Sequence, residues 1–368
     1  MDWRILIVED NAVMAESLKQ ALLRDLGEAV IEIVANFAEA PKIIARIKPD
    51  VAIFDIYDDQ IEEHPEAAIK PAWQTVWNTH FCPVVFHTGH EVEEYKNIGH
   101  PFARYEIKGP ESHGRVVKHI KDFKPEIEGL RTLRHELERS VQETLVHVSP
   151  LVWKIGKPKA ELPDMLLRAV RRRMAATLDY PTKPLTNLQA WEQYICPPIG
   201  DNLLTGDLIR ITNKPATNPQ SYHLVLSPSC DLVLGRGNAL EHVLVAGCVP
   251  VSKFVERAMV STKKIIKDLP AELTKEQVGG LMVLPAFADV IPLMAANLKK
   301  LSHIPYVHIA TKIDEKKPFT RIASLDSPFR ERLAWAYLQV AGRPGVPDVD
   351  VQSLATAISQ AITASTKA

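Results

Sequence analysis

Short apolar strands alternate with amphipathic helices over the first third of the chain, and this alternation restricts the fold more than any other feature. Strand-like runs occupy residues 4–8, 30–34, 51–56, 83–87 and 104–107. Helical apolar spacing lies between them at Ala12–Leu23 and Ala38–Ile47, and after them at Val116–Phe123. Because strands that alternate with helices pair in parallel, the pattern predicts a parallel sheet with helices on both faces. Sites in such sheets lie at the carboxyl ends of the strands.

Four of the predicted strands end in polar residues that suit one reaction. Glu9 and Asp10 follow the first strand, Asp55 ends the third, Thr88 follows the fourth and Lys108 follows the fifth. Carboxylates bind Mg²⁺ through oxygen, and a divalent cation offsets the charge of an incoming phosphoryl group. Lysine adds a point charge for a phosphoryl oxygen, and threonine adds a hydrogen bond. The set therefore predicts phosphoryl transfer to a carboxylate.

This ordered set resembles the phosphoacceptor receiver domain of two-component response regulators. The resemblance implies an α/β fold over residues 1–124, a flavodoxin-like, doubly wound five-stranded parallel sheet. It implies that Asp55 accepts a phosphoryl group from a histidine kinase or another phosphodonor. It also implies a Mg²⁺ site formed by Glu9, Asp10, Asp55 and the backbone carbonyl of Tyr57, two residues after the acceptor.

The same resemblance gives roles to residues of the fourth and fifth strands. Thr88 and Lys108 are expected to contact the phosphoryl group, and Tyr105, three residues before the lysine, to turn inward when the threonine moves. The sequence departs from the family at Gly109, which separates Lys108 from the proline that usually follows the lysine directly. Residues 57–80 form a long acidic segment, which indicates a solvated loop or a region that tunes metal affinity or kinase choice.

A helical linker is predicted over residues 125–180. Its first helix has apolar residues close to heptad spacing at Ile127, Leu130, Leu137, Val141 and Val148. The pattern favours equally a helix packed on its own domain and a short coiled coil that forms a homodimer through residues 127–148. A second helix is predicted at Leu162–Leu178, where Arg171, Arg172 and Arg173 are expected to lie on a solvated face.

After Tyr180 the amino-acid composition changes. An α+β output or interaction domain is predicted over residues 181–350, with a tail at 351–368. Strand-like runs occur at Leu208–Ile211, Tyr222–Leu226 and His242–Val245, a series that is compatible with a mixed β-containing domain or a small barrel. Helical patterning returns at Lys275–Leu281 and Ser327–Ala341. The motifs SPSCDL and SPFRERLAWAYLQVAGRPGVP resemble modules attached to bacterial conflict and phage-defence systems, which implies a setting rather than an activity.

Cys230 has the most reactive sequence context of the C-terminal half, because it lies beside Asp231 after a strand-like run. A free cysteine is most often a small buried hydrophobic residue. The alternatives are a nucleophile with His223 or His242 as its base, and a metal ligand together with Cys248 and a histidine. None of these spacings is diagnostic.

Composition excludes several classes of protein. The chain has 44 Lys and Arg against 45 Asp and Glu, so its net charge does not favour nucleic acid or an anionic membrane. There is no helix-turn-helix pattern and no run of 18 apolar residues, so we expect neither DNA binding nor a membrane span. Four scattered cysteines and an N-terminus without a secretion signal predict a cytoplasmic protein.

Two hypotheses about function follow from the sequence. The leading one is a signalling protein in which phosphorylation of Asp55 controls a C-terminal output module that does not bind DNA. The alternative is a phosphorylation-controlled effector enzyme, such as a hydrolase or nuclease, or a nucleic-acid-binding regulator. No HExxH, GxSxG or Walker motif follows residue 125, which weakens the enzyme hypothesis.

Overall fold

The computed structural model describes residues 2–55, 77–89, 96, 99–155, 159–179, 188–233, 240–259, 265–312, 316–342 and 350–365. The chain divides into two compact units, Met1–Thr182 and Lys183–Ala368. The predicted helical linker therefore belongs to the first unit, and the finer division at residue 125 stays a prediction. None of the helices in the described ranges is long and apolar enough to cross a membrane.

The first unit contains a five-stranded parallel sheet. Its strands are β1 (Trp3–Val8), β2 (Ala29–Val34), β3 (Val51–Phe54), β4 (Val84–Thr88) and β5 (Ala103–Ile107). Its described residues include the helices α1 (Ala12–Leu26), α2 (Ala40–Ile47) and α3 (Ser112–Asp122). The strand order is β2-β1-β3-β4-β5, and every neighbouring pair is parallel. This order is that of the flavodoxin-like fold, so the fold expected for residues 1–124 is confirmed.

Two apolar cores cover the two faces of this sheet. Leu6 and Val8 pack with α2 on one face, whereas Ile5 and Ile7 pack with α1 and α3 on the other. Both sets are essentially inaccessible to solvent, and this burial explains why the strands read as continuous apolar runs rather than as alternating ones. The burial fixes the register of the strands, and the register sets the positions of the residues at their ends.

The long helix α4 (Lys124–Trp153) follows α3 directly, and α5 (Leu162–Asp179) packs against it. At the start of α4, Ile127 joins the core under α1 and α3. Arg131 then donates from Nε to Asp50 Oδ1 at 2.7 Å and from Nη2 to Asp50 Oδ2. Because the Asp50 side chain is fully buried, this ion pair holds α4 against the sheet.

The buried residues of α4 differ from the predicted seam. Ser140, Thr144, Val148 and Val152, spaced by four, are the buried residues of its second half, and the last two pack against α5. Leu137, at the centre of the predicted seam, is 37% exposed. Ile127 and Val148 thus contact residues of their own unit, as one of the two sequence hypotheses expects. The homodimer remains a prediction.

The second unit contains a mixed sheet of eight strands. They are β6 (Tyr194–Ile195), β7 (Asp207–Ile211), β8 (Tyr222–Val225), β9 (His242–Pro250), β10 (Leu281–Leu284), β11 (Met294–Pro305), β12 (Ile309–Ala310) and β13 (Phe319–Leu325). The order is β10-β11-β9-β8-β7-β13-β12, with β6 paired to β13. Its pairs are antiparallel except β12 with β13. In the part of the chain that the structure describes, no pair joins the two edges, so the sheet is open and the barrel alternative is not found.

The α-helices within the described residues of this unit are α6 (Ser252–Arg257), α7 (Ile265–Leu273), α8 (Phe329–Ala341) and α9 (Val351–Ser365). The helix predicted at Ser327–Ala341 is confirmed as α8. The helix predicted at Lys275–Leu281 is wrong, because this segment is a turn that leads into β10. Gly279 and Gly280 have φ values of 61° and 92°, a left-handed backbone that ends any helix.

Candidate functional site

Strand pairing brings the predicted acidic residues together at one edge of the sheet. Glu9 and Asp55 directly follow β1 and β3, which pair with Val8 opposite Phe54. The Asp55 amide donates to the Val8 carbonyl at 2.9 Å, and the Glu9 amide donates to the Val34 carbonyl at 3.0 Å. These backbone hydrogen bonds continue past the ends of the strands. They hold the backbone at Glu9 and Asp55 in place, and the backbone fixes the point from which each side chain extends.

The turn after β1 is held by the cap of the following helix. Asn11 is the N-cap residue of α1, and its Oδ1 accepts hydrogen bonds from the amides of Val13 and Met14 at 3.1 Å each. This capping satisfies two amides that no helical carbonyl reaches. It leaves Glu9 and Asp10 in the short connection between strand and helix, next to the positive end of the α1 dipole.

Glu9, Asp10 and Asp55 form a cluster in which one ligand oxygen of each residue lies within 4.8 Å of the others. The side chain of Lys108 reaches two of these carboxylates. Its Nζ lies 2.7 Å from Glu9 Oε2 and 2.5 Å from Asp55 Oδ2. Glu9 is 3% exposed and Asp55 is 7% exposed. The arrangement is a largely buried acidic pocket with one ammonium group inside it.

Electrostatics in the pocket favour the addition of positive charge. Burial raises the pKa of Glu9, the hydrogen bond from Lys108 opposes this shift and the charge of Asp55 adds to it, with a net pKa of about 7. Burial alone lowers the pKa of Lys108, but hydrogen bonds to Asp55 and Glu9 outweigh it and the net shift is upward. Lys108 therefore offsets only part of the cost of burying the Glu9 carboxylate beside Asp55.

The residues fit a divalent cation. Glu9 Oε1 is buried and has no hydrogen-bond partner among the described residues, and a bound cation would satisfy such an oxygen. Glu9, Asp10 and Asp55 would hold Mg²⁺, which there would offset the negative charge of a phosphoryl group. Tyr57, whose carbonyl was predicted as a further ligand, lies outside the described residues.

Thr88 and Tyr105 lie on one face of the sheet, on neighbouring strands. Thr88 pairs with Ile107 and Phe86 pairs with Tyr105, so alternation along each strand places Thr88 diagonally beside Tyr105. Thr88 is fully buried, and Tyr105 is half-buried against the apolar core that contains Phe86. The amide of Lys108 donates to the Thr88 carbonyl at 2.7 Å, which ties the two strand ends together.

Sequence reasoning missed two residues near Lys108. His87 Nε2 lies 3.1 Å from Ser112 Oγ, and both residues are buried. The only sequence signal is that His87 is polar within the apolar run PVVFH, which ends at the predicted phosphate contact Thr88. Ser112 gave no signal, because a serine at the start of a helix is common as a cap.

The structure does not gather the groups proposed around Cys230. Cys230 is exposed, and its Sγ donates to Asp231 Oδ1 at 3.3 Å. Cys248 is buried in an apolar core, and His242 is exposed at the start of β9. Over the described residues, the Glu9, Asp10 and Asp55 cluster is the one group of at least three potential metal ligands. Cys230 is thus not the buried hydrophobic residue that is usual for a free cysteine.

No family model and no curated protein sequence matches the chain. Among solved structures, it is similar to the signal receiver domain of a modulated diguanylate cyclase from Desulfovibrio desulfuricans, at 23% identity and a TM-score of 0.28, over 35% of this chain and 98% of that one. It is similar to a CheY-like receiver domain protein from Methanospirillum hungatei, at 25% identity and a TM-score of 0.28, over 35% and 98%. A Francisella response regulator receiver domain matches at 19% identity and a TM-score of 0.26, over 33% and 94%.

The first third of the chain has a flavodoxin-like fold, as its strand order shows, and its acidic cluster lies at the carboxyl edge of the sheet. The matched structures cover about a third of the chain. The resemblance of the C-terminal unit to defence-associated modules stays a prediction.

Proposed function

We propose that this protein is a response-regulator-like signalling protein that accepts a phosphoryl group on Asp55 with the help of Mg²⁺. The observation that carries the proposal is the buried cluster of Glu9, Asp10 and Asp55 beside Lys108. Three carboxylates and one lysine at the carboxyl edge of a parallel sheet suit metal-assisted phosphoryl transfer.

Asp55, Lys108 and Thr88 have different roles in the proposed transfer. A carboxylate oxygen of Asp55 forms the new bond to phosphorus, and the bond between phosphorus and the donor breaks. If the donor is the phosphohistidine of a kinase, the electron pair and a proton go to its imidazole. In the proposed step Lys108, which contacts Asp55 Oδ2, neutralises a phosphoryl oxygen, and Thr88, at the end of β4, donates a hydrogen bond to another.

Phosphoryl incorporation tests this proposal. The wild-type chain is incubated with acetyl phosphate in the presence of Mg²⁺, and the acyl phosphate is measured by intact-protein mass spectrometry. We expect incorporation that disappears when EDTA removes the metal, because the carboxylates alone repel the donor. Incorporation that is equal with and without metal would contradict the proposed Mg²⁺ site. Absence of phosphoryl incorporation from acetyl phosphate, together with absence of beryllofluoride binding, would contradict the function.

A second prediction separates metal binding from signalling. Thr88→Ala and Lys108→Ala are expected to retain Mg²⁺ binding while they lose the response to beryllofluoride, because both side chains contact the phosphoryl group rather than the cation. Tryptophan fluorescence titration measures Mg²⁺ binding. Hydrogen exchange of the peptides that contain β4 and β5 measures the response. Loss of all Mg²⁺ binding in both variants is the contrary outcome.

We infer that the C-terminal unit is the output module and that it binds a partner other than DNA. The unit contains a large mixed sheet, and the near-neutral net charge of the chain does not favour binding to DNA. The effector-enzyme alternative rests on the exposed Cys230, which has a carboxylate but no described histidine or metal partner. The bacterial defence setting is supported by the sequence resemblance alone.

We also propose that the protein forms a homodimer through α4, within residues 127–148. Leu137 and Leu133 are 37% and 52% exposed, although the same helix buries Val148 against α5. Two exposed leucines four residues apart lie on one side of a helix, as a partner helix requires. A second copy presents the same pair, so a twofold axis would bring the two surfaces together.

Light scattering on the intact chain tests the dimer. Leu137→Glu is expected to give a monomer, because the charge would be buried in the contact. Val146→Glu is the matched control: Val146 is 70% exposed on the same helix, and nine residues at 100° each place it on the opposite side. A wild-type monomer, or equal effects of the two substitutions, would contradict the proposed contact.

A further inference from the structure

A buried hydrogen bond connects the strand that carries Thr88 to the helix that follows Lys108. His87 Nε2 lies 3.1 Å from Ser112 Oγ, and both residues are 2% exposed. His87 directly precedes Thr88 on β4, and Ser112 is the first residue of α3, four residues after Lys108. Burial lowers the pKa of His87 to about 4, so the contact joins two neutral groups at neutral pH.

Several hydrogen bonds hold the loop between Lys108 and α3, one of them from Arg115 Nη1 to the Pro110 carbonyl at 3.4 Å. At its start, the Lys108 amide donates to the Thr88 carbonyl at 2.7 Å. Within it, the Ser112 amide donates to the Gly109 carbonyl at 3.1 Å, and a side-chain carbon built on Gly109 would meet nothing within 4 Å. The loop has therefore no apolar contact at Gly109, which occupies the position where receivers usually carry proline.

Gly109, which stands between Lys108 and Pro110, gives the start of the loop more conformations, because proline fixes φ and glycine does not. The position of Lys108 then depends on the hydrogen bonds that hold the loop. One of them joins the loop to the backbone of β4 at Thr88, and another joins Ser112 to the side chain of His87 on the same strand. His113 packs edge-on against His87 with ring centroids 5.6 Å apart and limits the movement of the imidazole.

We propose that His87 and Ser112 are positioning residues that hold the Lys108 loop over Asp55, in a loop where Gly109 separates the lysine from Pro110. The proposal rests on the proposed phosphoacceptor function. Neither side chain contacts the acidic cluster; they act by fixing where the ammonium of Lys108 lies, 2.5 Å from Asp55 Oδ2 and 2.7 Å from Glu9 Oε2. Because His87 lies on the same strand as Thr88, one hydrogen bond aligns both predicted phosphate contacts.

The test uses the full chain and the variants Ser112→Ala, His87→Phe and the double variant. The net free energy contributed by a buried neutral hydrogen bond is small. If that contribution to the position of Lys108 is lost, the rate of phosphorylation by acetyl phosphate should fall roughly 3- to 10-fold. We expect this fall in each single variant and no additional fall in the double variant, because both remove the same contact. Mg²⁺ affinity should stay within about twofold, since no cation ligand is altered. Ser140→Ala is the matched control, because Ser140 is also buried but its Oγ has no hydrogen-bond partner among the described residues.

The position of Lys108 is read separately by the NMR signal of its side chain, assigned with Lys108→Arg. The signal should move in Ser112→Ala and His87→Phe and stay in place in Ser140→Ala. An unchanged rate and an unchanged Lys108 signal in Ser112→Ala would overturn the proposal, as would additive losses in the double variant or a parallel loss of Mg²⁺ affinity. A wild-type chain that takes up no phosphoryl group contradicts the function instead, and the Lys108 signal then decides the positioning alone.

Discussion

Replacement of Asp55 by Asn is expected to abolish acyl-phosphate formation. Asn has nearly the same shape as Asp, but its neutral amide oxygen is a poor nucleophile and cannot form a stable acyl phosphate. The substitution also removes one of the three carboxylates that would hold the cation and one contact of Lys108. Peptide mass spectrometry after treatment with acetyl phosphate and Mg²⁺ measures the result, and we expect the label to fall to background.

Two further variants show whether this loss is specific. Asp25→Asn removes an exposed carboxylate that pairs with Arg24 on α1, and it should leave incorporation unchanged. Asp10→Asn keeps the acceptor but removes a predicted metal ligand, so incorporation should persist only at higher Mg²⁺ concentration. Label that persists in Asp55→Asn would show that another residue is the acceptor.

The acidic site could be predicted from the sequence because its geometry follows from local order. Residues that directly follow parallel strands meet at one edge of the sheet, whatever the details of packing. Glu9, Asp55 and Lys108 each follow a strand, so the order of strands and polar residues was sufficient to bring them together. The contact between His87 and Ser112 depends instead on which face of β4 meets α3, and the sequence pattern does not specify this.

The packing of α4 shows a different limit. Within the chain, Ser140 and Thr144 of α4 are buried, although the heptad spacing of apolar residues includes neither of them. Small side chains allow two helices to approach closely, so a helix can bury polar positions and leave a leucine exposed. A periodic pattern indicates that a helix has an apolar side, but it does not indicate which element covers that side.

The C-terminal unit depends on a buried ion pair that no sequence motif marks. Asp207 on β7 and Arg321 on β13 have side-chain exposures of 0% and 1%, and Arg321 Nε lies 2.8 Å from Asp207 Oδ2. Ser324 Oγ donates to Asp207 Oδ1 at 2.6 Å, and Arg321 Nη1 donates to the Gly200 carbonyl at 2.8 Å. Burial raises the pKa of Asp207, and the charge of Arg321 opposes this shift.

Arg321→Met is therefore expected to destabilise the C-terminal unit by about 3–5 kcal/mol, because it leaves the Asp207 carboxylate buried without its cation. The double variant Asp207→Asn with Arg321→Met should be less destabilised than Arg321→Met alone, since it leaves no buried charge. Lys312→Met is the surface control: its pair with Asp201 spans 3.7 Å with side chains 61% and 70% exposed, and its loss should change stability by less than about 1 kcal/mol.

Hydrogen exchange of the β7 and β13 peptides in increasing urea reports the unfolding of this unit separately from that of the first unit. The unfolding midpoint of these peptides should fall strongly in Arg321→Met, recover partly in the double variant and stay unchanged in Lys312→Met. If Arg321→Met and Lys312→Met had equal unfolding midpoints, the buried ion pair would contribute no more to the stability of the unit than a solvent-exposed ion pair does. If the double variant were less stable than Arg321→Met, the uncompensated carboxylate would not be the cause of the destabilisation.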